Sequence, residues 1–377
     1  MRLWCYMTRA LLIPFTAWFV FAALATAAEP HWDLQFQYKQ ADFILTINDF
    51  AMPSAQRGVA CGYASDHNGR QRPLVLLTTD GGAHWTESPA REIGLSLFFL
   101  DDSTGWMVTA KGVWQTLESG RTWTKKTRAP SDLVRVWFLT REHGFGSGTE
   151  KRVFETNDGG DTWTLLPIVK EVPSDAKTTT FGEISFNGKA GIIAGWSLPP
   201  RPELPLYAQP SQANAVHRQI PTYSVLLQTV DGGQTWKKSD ASMFGQITRI
   251  SMAAQGSALG LIEFRDEFEF PSEVYKIDLH TGKSDRVFRQ RDSAITDVRL
   301  FSGLSTAVIA GYEASGPIYR GPIPGKLKVL ISEDLETWSE MTVDYRAVAH
   351  RAMIAGPDPD HLWIATDTGM ILRLVPE

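Results

Sequence analysis

The chain has 377 residues, 43% hydrophobic and 21% charged, with 31 glycines, 13 tryptophans and a formal charge of −5. That is enough apolar material for a sizeable core, and it lies far from the composition of disordered or fibrous chains. The mild acidity argues against nucleic acid as the main partner.

Arg2 and Arg9 precede an apolar run over residues 10–24, followed by Ala25-Thr26-Ala27-Ala28 and the polar Glu29-Pro30. Charged, apolar and small-residue regions in that order are those of a secretory signal peptide. We therefore expect residues 1–28 to be removed and the protein to be periplasmic or secreted. Removal takes two arginines and no acid, so the mature chain is more acidic. Cys5 falls in the leader, which leaves Cys61 as the one mature cysteine. No internal disulfide is expected, and residues 29–377, read as a single domain, must rely on their core. Cys61 stands in Gly58-Val59-Ala60-Cys61-Gly62 and reads as a small buried hydrophobe.

The first pattern after the leader is His31-Trp32-Asp33-Leu34-Gln35-Phe36-Gln37-Tyr38, a tryptophan ahead of period-two alternation. Short strands then follow at regular intervals. One group runs from residues 44–47 to Trp85. The clearest has strands over 95–100, 105–109, 112–116 and 123–126, and the next repeats it from 134–139 to 163–166. A fourth runs from 180–186 to Trp236, with an insertion over 197–222. Two begin at 247–252 and 295–300. The last begins near 347–350, continues through 362–366 and ends at 369–374, one strand short. The 31–38 segment is the expected missing strand.

The groups share one turn. Thr156-Asn157-Asp158-Gly159-Gly160-Asp161-Thr162-Trp163 has near-copies at Thr78 to Trp85, with Asp80, and at Thr229 to Trp236, with Asp231. A weaker copy runs from Thr116 to Trp123, and a shortened one from Ser332 through Asp334 to Trp338. Threonine hydroxyl and aspartate carboxylate accept hydrogen bonds from turn amides, glycine supplies positive φ, and tryptophan opens the returning strand. These residues resemble the Asp-box, or bacterial neuraminidase, repeat of β-propellers. The resemblance implies an all-β fold of seven four-stranded blades, about 50 residues each, with the N-terminal strand closing the last. Asp80, Trp85, Trp123, Asp158, Trp163, Asp231, Trp236, Asp334 and Trp338 then have structural roles. The run Gly105-Trp106-Met107-Val108-Thr109 into Gly112-Val113-Trp114-Gln115-Thr116 and its box is most similar to the photosystem II stability/assembly factor-like propellers. Sialidases are more distant. The former resemblance implies a non-catalytic scaffold that holds exported membrane-protein segments.

Alternating strand direction puts every box on one face of the ring and the long insertions, at 64–73, 197–222, 265–272 and 313–325, on the other. Tyr63, Trp196, Phe264 and Tyr312 fall at equivalent ends of second strands, facing the insertions. With Arg201 and Tyr207 of the proline-rich stretch 198–207 they are the candidate partner-binding residues, since aromatic rims grip apolar peptide side chains or stack on sugars. No metal-ligand spacing, phosphate loop or Gly-x-Ser-x-Gly elbow is present, and no catalytic residue, metal or cofactor is expected. The function expected is an exported, non-catalytic propeller binding a protein or peptide, a membrane-protein segment included. The alternative is a secreted sialidase-like glycoside hydrolase or carbohydrate binder, which needs two opposed carboxylates and an arginine cluster.

Overall fold

The computed structural model of the protein describes residues 30–40, 42–198, 221–264, 270–301, 305–314, 325–344 and 346–376. Seven sheets follow one another along the chain, six antiparallel ones of four strands and one of five. They are the blades of a propeller. Blade 1 holds Phe43–Ala51, Gly58–Asp66, Gln71–Thr78 and Thr86–Ser88. Blade 4 holds Thr179–Asn187, Ala190–Ser197, Thr222–Thr229 and Lys237–Met243. Inner strands open blades 2, 3, 5 and 6 at Gly94, Leu133, Gln246 and Ser293.

The ring closes as the sequence predicts. His31–Gln37 pairs antiparallel with Met370–Val375 as the fourth strand of blade 7. A fifth strand, Thr342–Val343, then runs parallel to His31 and Trp32 and covers that outer edge. The inner strand of blade 7 is Ala352–Asp358, later than the expected 347–350. Ala347 and Ala349 instead bond to Leu327 and Gly325 and bury themselves between blades 6 and 7. The expected insertion at 64–73 is mostly strand, because Ser65 pairs with Gln71 across a short turn.

The repeated turn has one geometry in blades 1, 3 and 4. In blade 3, Thr156 Oγ1 accepts from Gly160 N at 2.9 Å, and Asp158 Oδ1 accepts from Thr162 N at 2.8 Å. Gly159 and Gly160 take φ of 72° and 91°, which a side chain would oppose. In the degenerate copies Ser119 and Leu335 occupy left-handed backbone instead, at 57° and 63°.

Each gap between neighbouring blades is an apolar cluster, and six of the seven contain an outer-strand tryptophan. Trp85 packs between blades 7 and 1, Trp123 between 1 and 2, Trp163 between 2 and 3, and Trp236 between 3 and 4. Trp338 packs between blades 5 and 6. Trp32, from the closing strand, fills the gap between 6 and 7. Two further indoles tie blades together: Trp106 Nε1 donates to Gly159 O at 3.2 Å, and Trp363 Nε1 to Gly81 O at 3.1 Å.

Candidate partner-binding site

The inner strands of blades 1 to 6 share a β-bulge. Their ladders shift register between Ile47 and Asp49, Gly94 and Ser96, Leu133 and Arg135, Phe181 and Glu183, Ile247 and Arg249, and Ile295 and Asp297. A bulge turns the next side chain off the regular alternation. Here it turns a polar residue into the central channel in every case, and a charged one in five.

The five charged residues form a chain of ion pairs across the channel. Arg135 Nη1 is 3.4 Å from Asp49 and its Nε 3.0 Å from Glu183. Arg249 Nη1 is 3.2 Å from the same Glu183 oxygen, and its Nε 3.5 Å from Asp297. Two acids also cover the inner strand edges: Asp49 accepts from Phe50 N and Leu97 N, and Asp297 from Val298 N and Ile354 N at 2.7 Å. Burial pushes the carboxyls of Glu183 and Asp297 up, against the pull of the arginines beside them.

The belt separates two vestibules that share Arg135 and Arg249 in their walls. The box-side one, about 820 Å³, is lined by the far ends of the inner strands and includes Trp137 and Arg299. Arg299 donates to Gly356 O at 3.1 Å. The insertion-side one, about 400 Å³, combines Leu95, Val134 and Trp196 with Arg249, Arg351 and Glu263. Among the described residues, no carboxylate lies within ion-pair reach of the Arg351 guanidinium. Burial, then repulsion from Arg249, lowers the Arg351 pKa to about 10. Burial likewise raises Glu263. The mouth therefore combines apolar side chains with three arginines, three hydroxyl residues and one acid.

The candidate residues divide. Trp196 lines the insertion-side mouth, its ring packed so closely on Gly182, the bulge residue of blade 4, that a Cβ there would meet it at 2.3 Å. Tyr63 and Tyr312 are half-buried outside the vestibule. Tyr312 faces the His350 ring at 6.5 Å, and burial with the charges of Glu263 and Asp367 raises its hydroxyl pKa. Phe264 turns toward the cleft between blades 4 and 5. Arg201 and Tyr207 lie outside the described residues, as does residues 1–28. The channel belt was missed, although it has a signal: Asp49, Arg135, Glu183 and Arg249 are the single charges of their first strands, and Asp297 stands at the same position of a strand that also carries Arg299.

A family profile described as photosynthesis system II assembly factor YCF48 matches residues 129–209. The photosystem II assembly lipoprotein Ycf48 of Synechococcus sp. (strain CC9902) is 23% identical over 134 residues, which span 33% of this chain and 40% of that protein. A structure of YCF48 bound to D1 peptide superposes with a TM-score of 0.58 at 14% identity, over 93% of this chain and 99% of that one. YCF48 from Cyanidioschyzon merolae superposes with a TM-score of 0.56 at 13% identity, over 91% of this chain and 98% of the other.

The chain is similar to YCF48 in sequence over part of its length and shares its propeller fold. The profile match covers the third strand group and the start of the fourth, and the structural likeness extends round the whole ring. Inside the matched segment the second strand of blade 4 delivers Trp196 to the mouth.

Proposed function

We propose that the chain is an exported, non-catalytic assembly factor that holds a segment of a partner polypeptide at the insertion-side mouth of its channel. The observation that carries this reading is the mouth's composition. The apolar side chains of Leu95, Val134 and Trp196 share this mouth with the guanidinium of Arg351, which has no described carboxylate within ion-pair distance. Such a bowl suits an apolar residue next to an anionic group on an extended chain. The similar YCF48 structure is of a peptide complex, which supports a polypeptide occupant. A segment of a membrane protein newly delivered across the same membrane is the client class proposed. Export rests on the leader-like residues 1–28 and on the relative described as a lipoprotein. Among the described residues, no helix is long and apolar enough to cross a membrane.

The glycosidase alternative asks for acids free to exchange protons near an arginine cluster. Arginines and acids do meet in the channel, but Asp49, Glu183 and Asp297 are each held by a guanidinium, and Asp49 and Asp297 by backbone amides besides. They read as structural.

The test is cross-linked capture from membrane and periplasmic extract of the source cell, with the wild-type chain beside Trp196→Ala and Arg351→Ala. A polypeptide captured by the wild type and lost from both variants is the expected result. Equal capture by all three would move the site elsewhere, and turnover of fluorogenic glycosides would replace the reading altogether.

A further inference from the structure

The gap between blades 4 and 5 is built differently from the other six. Blade 5 has no box, and among the described residues no tryptophan enters that gap. The register shows what is missing. In blade 4, Trp236 immediately precedes the pair Lys237–Gln228; in blade 5, Lys283 immediately precedes the equivalent pair Ser284–Ile277. Lys283 is exposed, so among the described residues this position supplies no ring to the gap.

A cleft of about 640 Å³ opens in this gap. Its walls include Leu226 and Met243 of blade 4 and Ile247, Ile262, Tyr275 and Ile277 of blade 5. Gln228 and Glu273 place acceptors in the same walls, the Glu273 carboxylate fixed by Tyr275 Oη at 2.7 Å and by Arg289 at 3.2 Å. Two of the gap indoles find carbonyl acceptors, Trp163 Nε1 donating to Gly160 O and Trp338 Nε1 to Val287 O, whereas those of Trp85, Trp123 and Trp236 have none among the described residues. A cleft of this size, walled mainly by apolar side chains with a few polar groups among them, is one that a ring from outside can enter.

We propose that the cleft between blades 4 and 5 is a binding site for a large aromatic side chain, an indole foremost, supplied by the polypeptide partner. The partner would complete the interblade packing that the chain provides for itself in the other six gaps. Naming a polypeptide as the source rests on the function proposed above. The preference for an aromatic ring rests on the cleft alone.

The experiment uses the full chain and N-acetyl-tryptophanamide as the probe, followed by saturation-transfer NMR, with N-acetyl-alaninamide as the control. Gly260 is in the blade 5 wall, and a Cβ there would meet only the end of the Ile277 side chain, at 2.9 Å. Gly260→Phe therefore fills the cleft. Saturable binding of the tryptophan amide, weakened at least tenfold in Gly260→Phe and unchanged in Arg351→Ala, is expected. Ser239→Trp, reaching in from the blade 4 wall, repeats the test if Gly260→Phe lowers Tm. No binding to the wild type, equal binding of the alanine amide, or binding that survives both fillings overturns the proposal. Loss of partner capture in Arg351→Ala with probe binding intact would separate the mouth from the cleft.

Discussion

Ser119 shows how much the repeated turn depends on single residues. It stands where the full copies carry the first glycine, at φ 57°, and its amide donates to Ser103 O at 2.9 Å. Left-handed backbone costs a non-glycine residue ~1–2 kcal/mol. Ser119→Gly should therefore stabilise the protein by about 0.5–1 kcal/mol after the extra entropy of an unfolded glycine is subtracted, read as a higher urea midpoint. Leu335 is in the same region of φ, but its side chain is buried in the gap between blades 5 and 6, so glycine there would lose more packing than it relieves. The turn aspartates make a second prediction. The hydroxyl and amide of Thr162 hold Asp158 at a pKa of about 2, with Asp231 likewise about 2 through Thr235, and Asp80 about 2 through His84. Because the folded values lie below the unfolded one of 3.8, the stabilisation is complete above about pH 4 and is lost as pH falls toward 2. Asp158→Asn should make the decline of Tm over that window shallower than in the wild type. A parallel decline would show that the carboxylate does not contribute there.

Closure of blade 7 is the decisive event at the level of elements. Trp32 is 1% exposed and touches blades 6 and 7 together, with Nε1 directed at Met341 Sδ, 3.4 Å away. Trp32→Ala should cost about 3–5 kcal/mol. Deleting residues 30–37 should do more, since it bares the Met370–Val375 edge to pairing with other chains. Light scattering should then find oligomers where the intact chain gives one species; a deleted chain that remains monomeric with wild-type Tm would show that the closing strand is dispensable. The strand was legible because it repeats the tryptophan-then-alternation pattern that follows each box. Its extra cover, Thr342–Val343, was not legible: two residues carry no periodicity, and their pairing partner is more than 300 positions away. For the same reason the start of blade 7 was placed too early. Ala347 to His350 looks like a strand locally, but its alanines are small enough to be used as filler beneath blade 6.

For the whole molecule, the channel belt ties five blades into one electrostatic unit. Arg135 is the link between Asp49 of blade 1 and Glu183 of blade 4. Removing it leaves two largely buried carboxylates short of a countercharge, and Arg135→Ala should cost about 3–5 kcal/mol in a denaturant titration. Adding Glu183→Gln should recover about 1 kcal/mol or more of that loss, a coupling that independent sites would not show. The amino-acid sequence by itself determined the strand groups, the turns, the seven-fold count and the closing strand, because hydrogen bonds within eight residues and alternation within six are local. Only the tertiary structure decided which charges of the first strands meet, that Trp196 and not Tyr63 or Tyr312 reaches the mouth, and that one interblade gap has no tryptophan among the described residues. Those facts depend on bulges and on paired charges 48 to 86 residues apart arriving at one axis, and contacts of that range are set by closure of the ring.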